Sequence, residues 1–201
     1  DNFIKDRFFE ALGMKNSYTS ITDFRGNKNV ASPHTVDAET YETIAVPYMN
    51  WDNIAPAGGI NSCVKDYVNW IKLQLAKGVF SKDTVFSDKV SWEMWSPNTP
   101  IDVSQRASEL WPSTHFKAYA LGWGLSDYWG RKIVTHGGGT DGMTCYTALV
   151  PEEDLGIVIL TNKYSSLYYA LTYQTLDAFL VPEDVDKDWS KTLLEMIKSR
   201  R

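Results

Sequence analysis

The sequence predicts an α+β fold in which an antiparallel sheet is flanked by helices. Three observations carry it. Stretches of helical period punctuate the first hundred residues. From Tyr119 to Thr161 the texture turns extended, with short apolar runs divided by glycines and by the Pro151 turn. A helical stretch then returns at about Ser166. A length of 201 residues fits one domain, and at this size folding typically removes roughly 70% of the unfolded surface from water.

Taken in order, residues 2–12 predict a helix with Phe3, Ile4, Phe8, Phe9 and Leu12 on one side and Gly13 to stop it. From Ser17 to Asn53 no period holds, and a connection of that length tends to be functional. It is expected to pass over the mouth of a site. The turn Ala55-Pro56-Ala57-Gly58-Gly59 then feeds a helix for which Ser62 is the expected N-cap, with Val64, Val68, Ile71 and Leu75 on one face and Gly78 at the end. A shorter helix starts at Ser87 and carries Val90, Met94 and Trp95, and residues 96–117, broken by Pro97, Pro100 and Pro112, are expected to be loop. Strands are predicted over Tyr119–Tyr128, Arg131–Thr135, Met143–Val150 and Leu155–Thr161. The last helix, Ser166 to Leu180, should present Tyr169, Tyr173, Leu176 and Leu180 to the core. Residues 1–181 form the expected domain, and 182–201 an acidic linker with a short amphipathic helix around Trp189 to Ile197.

Composition narrows the function. Twenty Lys plus Arg against 25 Asp plus Glu give a formal charge of −5, so nucleic acid is not an expected partner. The longest apolar runs fall far short of the ~20 residues of a membrane helix. Cys63 and Cys145 are too few for a disulfide framework, and three scattered histidines outline no metal site, so neither metal nor cofactor is expected. Eight Trp and eleven Tyr supply large apolar surfaces with polar handles, which suits a protein that handles a ligand. The chain opens Asp-Asn-Phe-Ile-Lys-Asp, neither a signal peptide nor an initiator Met.

The densest chemical constellation is Thr135-His136-Gly137-Gly138-Gly139-Thr140-Asp141-Gly142. Consecutive glycines let a ligand approach the backbone and leave N–H groups free to face it; the histidine can hold or move a proton near neutrality. The same letters could be a flexible hairpin with an incidental histidine. They also match the oxyanion loop of lipase-like α/β-hydrolases, but no G-x-S-x-G follows and alternating βα units are missing. Among the remaining residues, His34 and His115 are expected at the surface, and Asp141 is expected to shape the turn.

Five stretches in order resemble the class C β-lactamase-like and penicillin-binding-protein-like serine hydrolases. They are Phe9-Glu10-Ala11-Leu12-Gly13-Met14; Pro56-Ala57-Gly58-Gly59-Ile60-Asn61-Ser62 with Asp66 and Trp70; Leu121-Gly122-Trp123-Gly124; His136-Gly137-Gly138-Gly139; and Pro151 with Leu155 to Asn162. The resemblance implies the C-terminal two-thirds of a β-lactamase/transpeptidase-like domain acting by acyl transfer. His136 takes the Lys/His place of the third motif, Gly137 and Gly138 the next two, and the Gly139 N–H would be an oxyanion donor. Tyr48, Trp51 and Trp123 are candidates for the wall of a substrate pocket. Gly137 stands where many members carry a Thr or Ser hydroxyl for a substrate carboxylate, which favours ester or amide substrates over β-lactams or D-Ala-D-Ala peptides.

The family's nucleophile motif, Ser-x-x-Lys, occurs only as Ser62-Cys63-Val64-Lys65, at a helix start the family places well after its catalytic serine. Tyr48-Met49-Asn50 likewise lies far from where the family puts Tyr-x-Asn. The resemblance therefore implies that the nucleophile helix and two N-terminal strands belong to polypeptide outside these residues. The chain alone would be silent, the rest of the same domain would be its partner, and Leu155–Thr161 would be an open sheet edge. It also implies a small-molecule or peptide-like substrate and a periplasmic or secreted location. The other reading is a binding or regulatory module that kept this fold without the nucleophile.

Overall fold

The protein is described here by a computed structural model, which covers residues 2–140, 142–182, 185 and 187–198. The chain opens with a short helix α1 (Asn2–Ile4) that widens into a π-turn over Lys5–Phe9 and ends at Gly13, φ +64°. Phe9, Leu12 and Met14 are buried against Leu73, with Ile4 and Phe8 packed beside them, so of the predicted apolar stripe only Phe3, 65% exposed, stays outside.

The stretch after Ser17 is irregular apart from a small hairpin, β1 (His34–Val36) with β2 (Thr43–Ala45). A single helical turn, α2 (Ala55–Gly58), precedes α3 (Val64–Leu75). The expected cap is corrected here: Cys63 occupies the N-cap without a side-chain bond, and the Ser62 hydroxyl pairs with Ser17 Oγ at 2.8 Å. Ser17 Oγ in turn donates to buried Asp66 at 3.1 Å, and the Asn16 amide donates to the same carboxylate at 2.6 Å. This network ties the start of α3 to the chain following α1. The helix is buried on two sides, Leu73 toward Phe9 and Leu12, Ile71 toward the sheet. That is why Val64, on the predicted stripe, remains exposed.

Gly78, φ +93°, ends α3; a Cβ there would lie 2.1 Å from the Phe86 carbonyl, so only glycine fits. Strands β3 (Val79–Phe80) and β4 (Asp83–Thr84) make a tight hairpin. Helix α4 (Asp88–Met94) begins as expected, with the Ser87 side chain accepting from the Val90 amide. The segment predicted as loop instead supplies β5 (Thr99–Ile101) and α5 (Gln105–Leu110), capped by Ser104. Pro100 is tolerated because β5 is a sheet edge, where one side needs no donor.

The predicted strand Tyr119–Tyr128 is two strands, β6 (Lys117–Tyr119) and β7 (Gly124–Tyr128), folded back at Gly122, φ +77°. Strand β8 (Arg131–Thr140) runs through the glycines, five residues beyond the predicted end. Strands β9 (Met143–Val150) and β10 (Leu155–Thr161) complete an antiparallel meander in the order β10-β9-β8-β7-β6-β5. β10 is a sheet edge, as expected. Helix α6 (Leu167–Leu180) covers one face through Ala170 and Leu176, with Tyr169, Tyr173 and Leu180 packed beside them. Helix α7 (Trp189–Lys198) joins the same core through Trp189 and Leu193. Asp177 fixes that junction: the Tyr128 hydroxyl and the Trp189 indole N–H each donate to one of its oxygens. Burial, together with the Asp177 charge, pushes the Tyr128 hydroxyl well above its usual range. Helix α3 covers the opposite face, its Ile71 against Gly156 of β10, with Trp95, Trp123 and Leu125 in the same layer. Among the described residues, no helix is long and apolar enough to cross a membrane.

Candidate active site

The central strand of the site lacks a partner on one edge over half its length. Thr140 pairs with Met143 across a two-residue turn, so that pair exchanges hydrogen bonds and the pattern alternates back along β8. Gly138 and His136 turn their backbone groups toward β9, while Gly139 and Gly137 turn theirs the other way. On that other side, pairing with β7 stops at Thr135 opposite Gly124. The outward N–H and C=O groups of Gly137 and Gly139 therefore face an open notch beyond the end of β7. Residues 136–139 are all exposed.

Side chains divide between the two faces. His136 stands edge-on to Trp123, ring centres 6.4 Å apart, on the face that also carries Gly138, Cys145 and Thr147. Behind them the Thr147 hydroxyl donates to Tyr67 Oη at 3.1 Å. Burial pushes the Tyr67 hydroxyl up, and burial of its sulfur does the same to the Cys145 thiol, although Cys145 as a residue is exposed. A Cβ on Gly138 would come within 3.0 Å of that sulfur. On the other face, a Cβ on Gly137 would meet the Tyr146 ring at 2.9 Å and one on Gly139 the Tyr164 ring at 2.8 Å. The missing side chains are what let aromatic rings close onto bare backbone.

The notch opens into a cleft of about 520 Å³ floored by Gly137, Gly138 and Gly139. Tyr119 and Gly124 bound it across the gap; Tyr146, Tyr164, Tyr168 and Tyr169 form its aromatic side. Tyr146 packs on Tyr168 and Tyr169 at centroid distances of 4.9 and 5.5 Å. Burial pushes the Tyr146 hydroxyl up to about 12, against a partial offset from its bond to Thr135. Among the described residues, the lining holds His136 and no Asp, Glu, Lys or Arg.

The structure brings together His136, Gly137, Gly138 and Gly139. It does not bring the three proposed wall residues to the cleft. Tyr48 lies in the 17–53 excursion, its hydroxyl donating to the Ala31 carbonyl at 2.5 Å and its ring against Phe24. Trp51 caps the 3-10 turn Asp52–Ile54, and Trp123 is a core residue, 6% exposed, that touches the site only through His136. Ser62 is held in the Ser17–Asp66 network while Lys65 is exposed. His34 is more than a surface residue: its amide donates to the Gly142 carbonyl at 3.1 Å, and its Nδ1 lies 3.2 Å from Asn162 O and from Asn162 Nδ2. With Lys163 Nζ donating to Thr43 Oγ1 at 2.7 Å, these contacts pin the excursion to the end of the sheet beside Tyr164. His115 is exposed, as expected, and pairs with Asp127 at 2.8 Å. Asp141 lies outside the described residues. The tyrosine side of the cleft escaped sequence reasoning, although Tyr164, Tyr168 and Tyr169 crowd the segment after the last strand.

The Beta-lactamase family model matches residues 1–178. The chain belongs to the beta-lactamase family. It is 31% identical over 192 residues to the protein named Unguisins hydrolase ungD' of Aspergillus campestris, covering 93% of this chain and 34% of the relative. It is 29% identical over 203 residues to Unguisins hydrolase ungD of Aspergillus violaceofuscus, covering 94% of this chain and 35% of that protein. The chain thus spans about a third of the length of these relatives. In fold it is similar to the octameric penicillin-binding protein homologue of Pyrococcus abyssi, with TM-score 0.71 and 23% identity over 91% of this chain and 38% of that one. A class C beta lactamase of Rhodobacter sphaeroides has TM-score 0.54 and 22% identity over 84% of this chain and 52% of its own. The beta-lactamase-family fold, with relatives named hydrolases, accounts for the sheet, its helices and their order.

Proposed function

We propose that the protein is a serine-type hydrolase acting by acyl transfer on uncharged ester or amide substrates, and that this chain supplies its oxyanion strand. The observation that carries the reading is the unpaired edge of β8, where the Gly139 N–H faces an open notch beside His136. A fixed amide aimed at a developing oxyanion is worth about 3 kcal/mol of transition-state stabilisation. A serine hydroxyl attacks the substrate carbonyl, forming the acyl–oxygen bond as its proton passes to a base. The Gly139 N–H holds the resulting oxyanion, the protonated leaving group departs, and water then cleaves the acyl-enzyme. His136, in the place the family gives to Lys or His, holds or moves a proton at the edge of the notch.

The attacking serine is assigned to polypeptide outside these 201 residues. Ser62 is committed to Ser17, and its neighbour Lys65 is turned to solvent. The names of the relatives and the match over 93% of this chain support hydrolysis; the absence of a hydroxyl at Gly137 supports substrates without a carboxylate at that point. Fluorophosphonate labelling of the full-length protein, followed by assays on short-chain esters and amides, tests the reading. Labelling outside residues 1–201, with turnover lost in His136→Ala, is the expected result. An unlabelled full-length protein would favour the non-catalytic binding module, and labelling of the 201-residue chain at Ser62 would overturn the assignment of the nucleophile.

A further inference from the structure

The cleft carries more information than the reaction uses. Its floor is side-chain-free backbone and its side is tyrosine, with Tyr168 and Tyr169 rings 4.4 Å apart and Tyr146 beside both. Among the described residues its lining contains no Asp, Glu, Lys or Arg. The nearest cation along the chain, Lys163, is turned away to Thr43. Thr144, also in the lining, is 7% exposed, and its hydroxyl has no hydrogen-bond partner among the described residues. A glycine-floored slot with aromatic sides and an unpaired hydroxyl suits a flat, uncharged ring, because offset or edge-on contacts between rings stabilise beyond simple burial. A carboxylate placed among the tyrosine rings would lose water and meet no lysine or arginine there.

Resting on the hydrolytic reading above, we infer that the tyrosine cleft is a specificity pocket for an aromatic side chain of an uncharged, peptide-like amide. The backbone of that substrate lies along the open edge of β8. Alternation along an extended chain would send one side chain to the His136 face and the next to the tyrosines. Tyr168 and Tyr119 are then specificity-determining residues.

Binding can be measured apart from turnover. N-acetyl-phenylalaninamide, N-acetyl-alaninamide and N-acetyl-phenylalanine are titrated into the full-length protein and read by ligand-detected NMR. The phenyl amide should bind about fivefold or more tighter than the alanine amide and tighter than the carboxylate. Tyr168→Ala should remove that preference, Tyr168→Phe should keep it, and Tyr41→Ala, at a 78% exposed site away from the cleft, should leave it unchanged. A thermal melt within a few degrees of the parent qualifies each variant, with Tyr119→Ala as the second probe should Tyr168→Ala fail to fold. Equal binding of the alanine amide, or a phenyl preference that survives both tyrosine variants, overturns the pocket. Selective binding without any hydrolysis would refute the catalytic reading instead, and hydrolysis indifferent to the ring would refute this one.

Discussion

Two neighbouring glycines on the same face should respond to the same substitution in opposite ways. Neither Gly137 nor Gly139 has a positive φ, so alanine is compatible with both backbones, and losing glycine's freedom in the unfolded chain stabilises by about 0.4–1 kcal/mol. The difference lies in what the new methyl meets. At Gly137 it lies 2.9 Å from Tyr146 Cδ2 and 3.2 Å from Cε2, on a ring wedged against Tyr168 and Tyr169 and tied through its hydroxyl to Thr135. That ring cannot turn without disturbing the stack, so the overpacking costs about 1–3 kcal/mol. At Gly139 the methyl meets Tyr164, which is 69% exposed and free to swing. The expected balance is a net loss of about 1–2 kcal/mol for Gly137→Ala and a change within about 0.5 kcal/mol, or a slight gain, for Gly139→Ala. At ~2–4 °C per kcal/mol for a domain of this size, Gly137→Ala should melt several degrees lower and Gly139→Ala within about 2 °C of the parent. Urea unfolding with matched slopes checks that stability alone has changed. Equal losses, or a larger loss at Gly139, would refute the account of which ring is held and which is free.

Two further substitutions probe carboxylates that tie neighbouring segments together. Asp177→Ala strands the Tyr128 hydroxyl and the Trp189 indole N–H, and should cost roughly 2–4 kcal/mol in urea unfolding while making α7 the first site of limited proteolysis; an unchanged cleavage pattern would show that Asp177 does not hold α7. Asp127 tests linkage: burial pushes its carboxyl up, but hydrogen bonds from the Phe116 amide and from the His115 ring and amide outweigh this and leave it below the usual carboxylate value. Because its folded pKa is depressed, its contribution is present above about 3.9 and lost as pH falls through the folded value. Asp127→Asn should therefore melt lower than the parent at pH 6, with the gap closing below pH ~3.9; a gap independent of pH would exclude the charge as its source.

Much of this arrangement was legible because local chemistry and tertiary context agree. Ser87 caps α4, Gly78 stops α3, and the Pro151 turn separates β9 from β10, each as local rules require. The misreadings arose where an element depends on a distant neighbour. Pro100 marks a breaker in isolation, yet edge position makes β5 possible. The alternation from Tyr119 to Tyr128 continues through a fold-back, because period cannot reveal that Gly122 reverses the chain. Ser62 looks like a cap until Ser17, far away in sequence, takes its hydroxyl. In the candidate site, the glycines and His136 were visible as a run of letters. The tyrosine side was not, since it is assembled from β6, β9 and α6 and follows no spacing along the chain.

The two edges of the sheet differ in a way that predicts how this chain behaves in isolation. At β5 the edge is three residues long and carries Pro100, which cannot donate; short length and proline both discourage pairing with another sheet. At β10 the edge is Leu155-Gly156-Ile157-Val158-Ile159-Leu160-Thr161, without charge or proline, and Leu160 is 37% exposed. Such a segment combines high strand propensity with low charge, the composition of strands that recruit further strands. The outward backbone donors and acceptors of alternate residues along this edge should therefore be satisfied by another copy when the 201-residue chain is prepared alone. Light scattering should show self-association that rises with concentration, and Leu160→Lys should shift it toward monomer, since an edge lysine opposes strand addition. A parent chain that stays monomeric at ~100 µM, the concentration range in which exposed edges associate, would mean that the β10 edge is masked by elements of this chain itself.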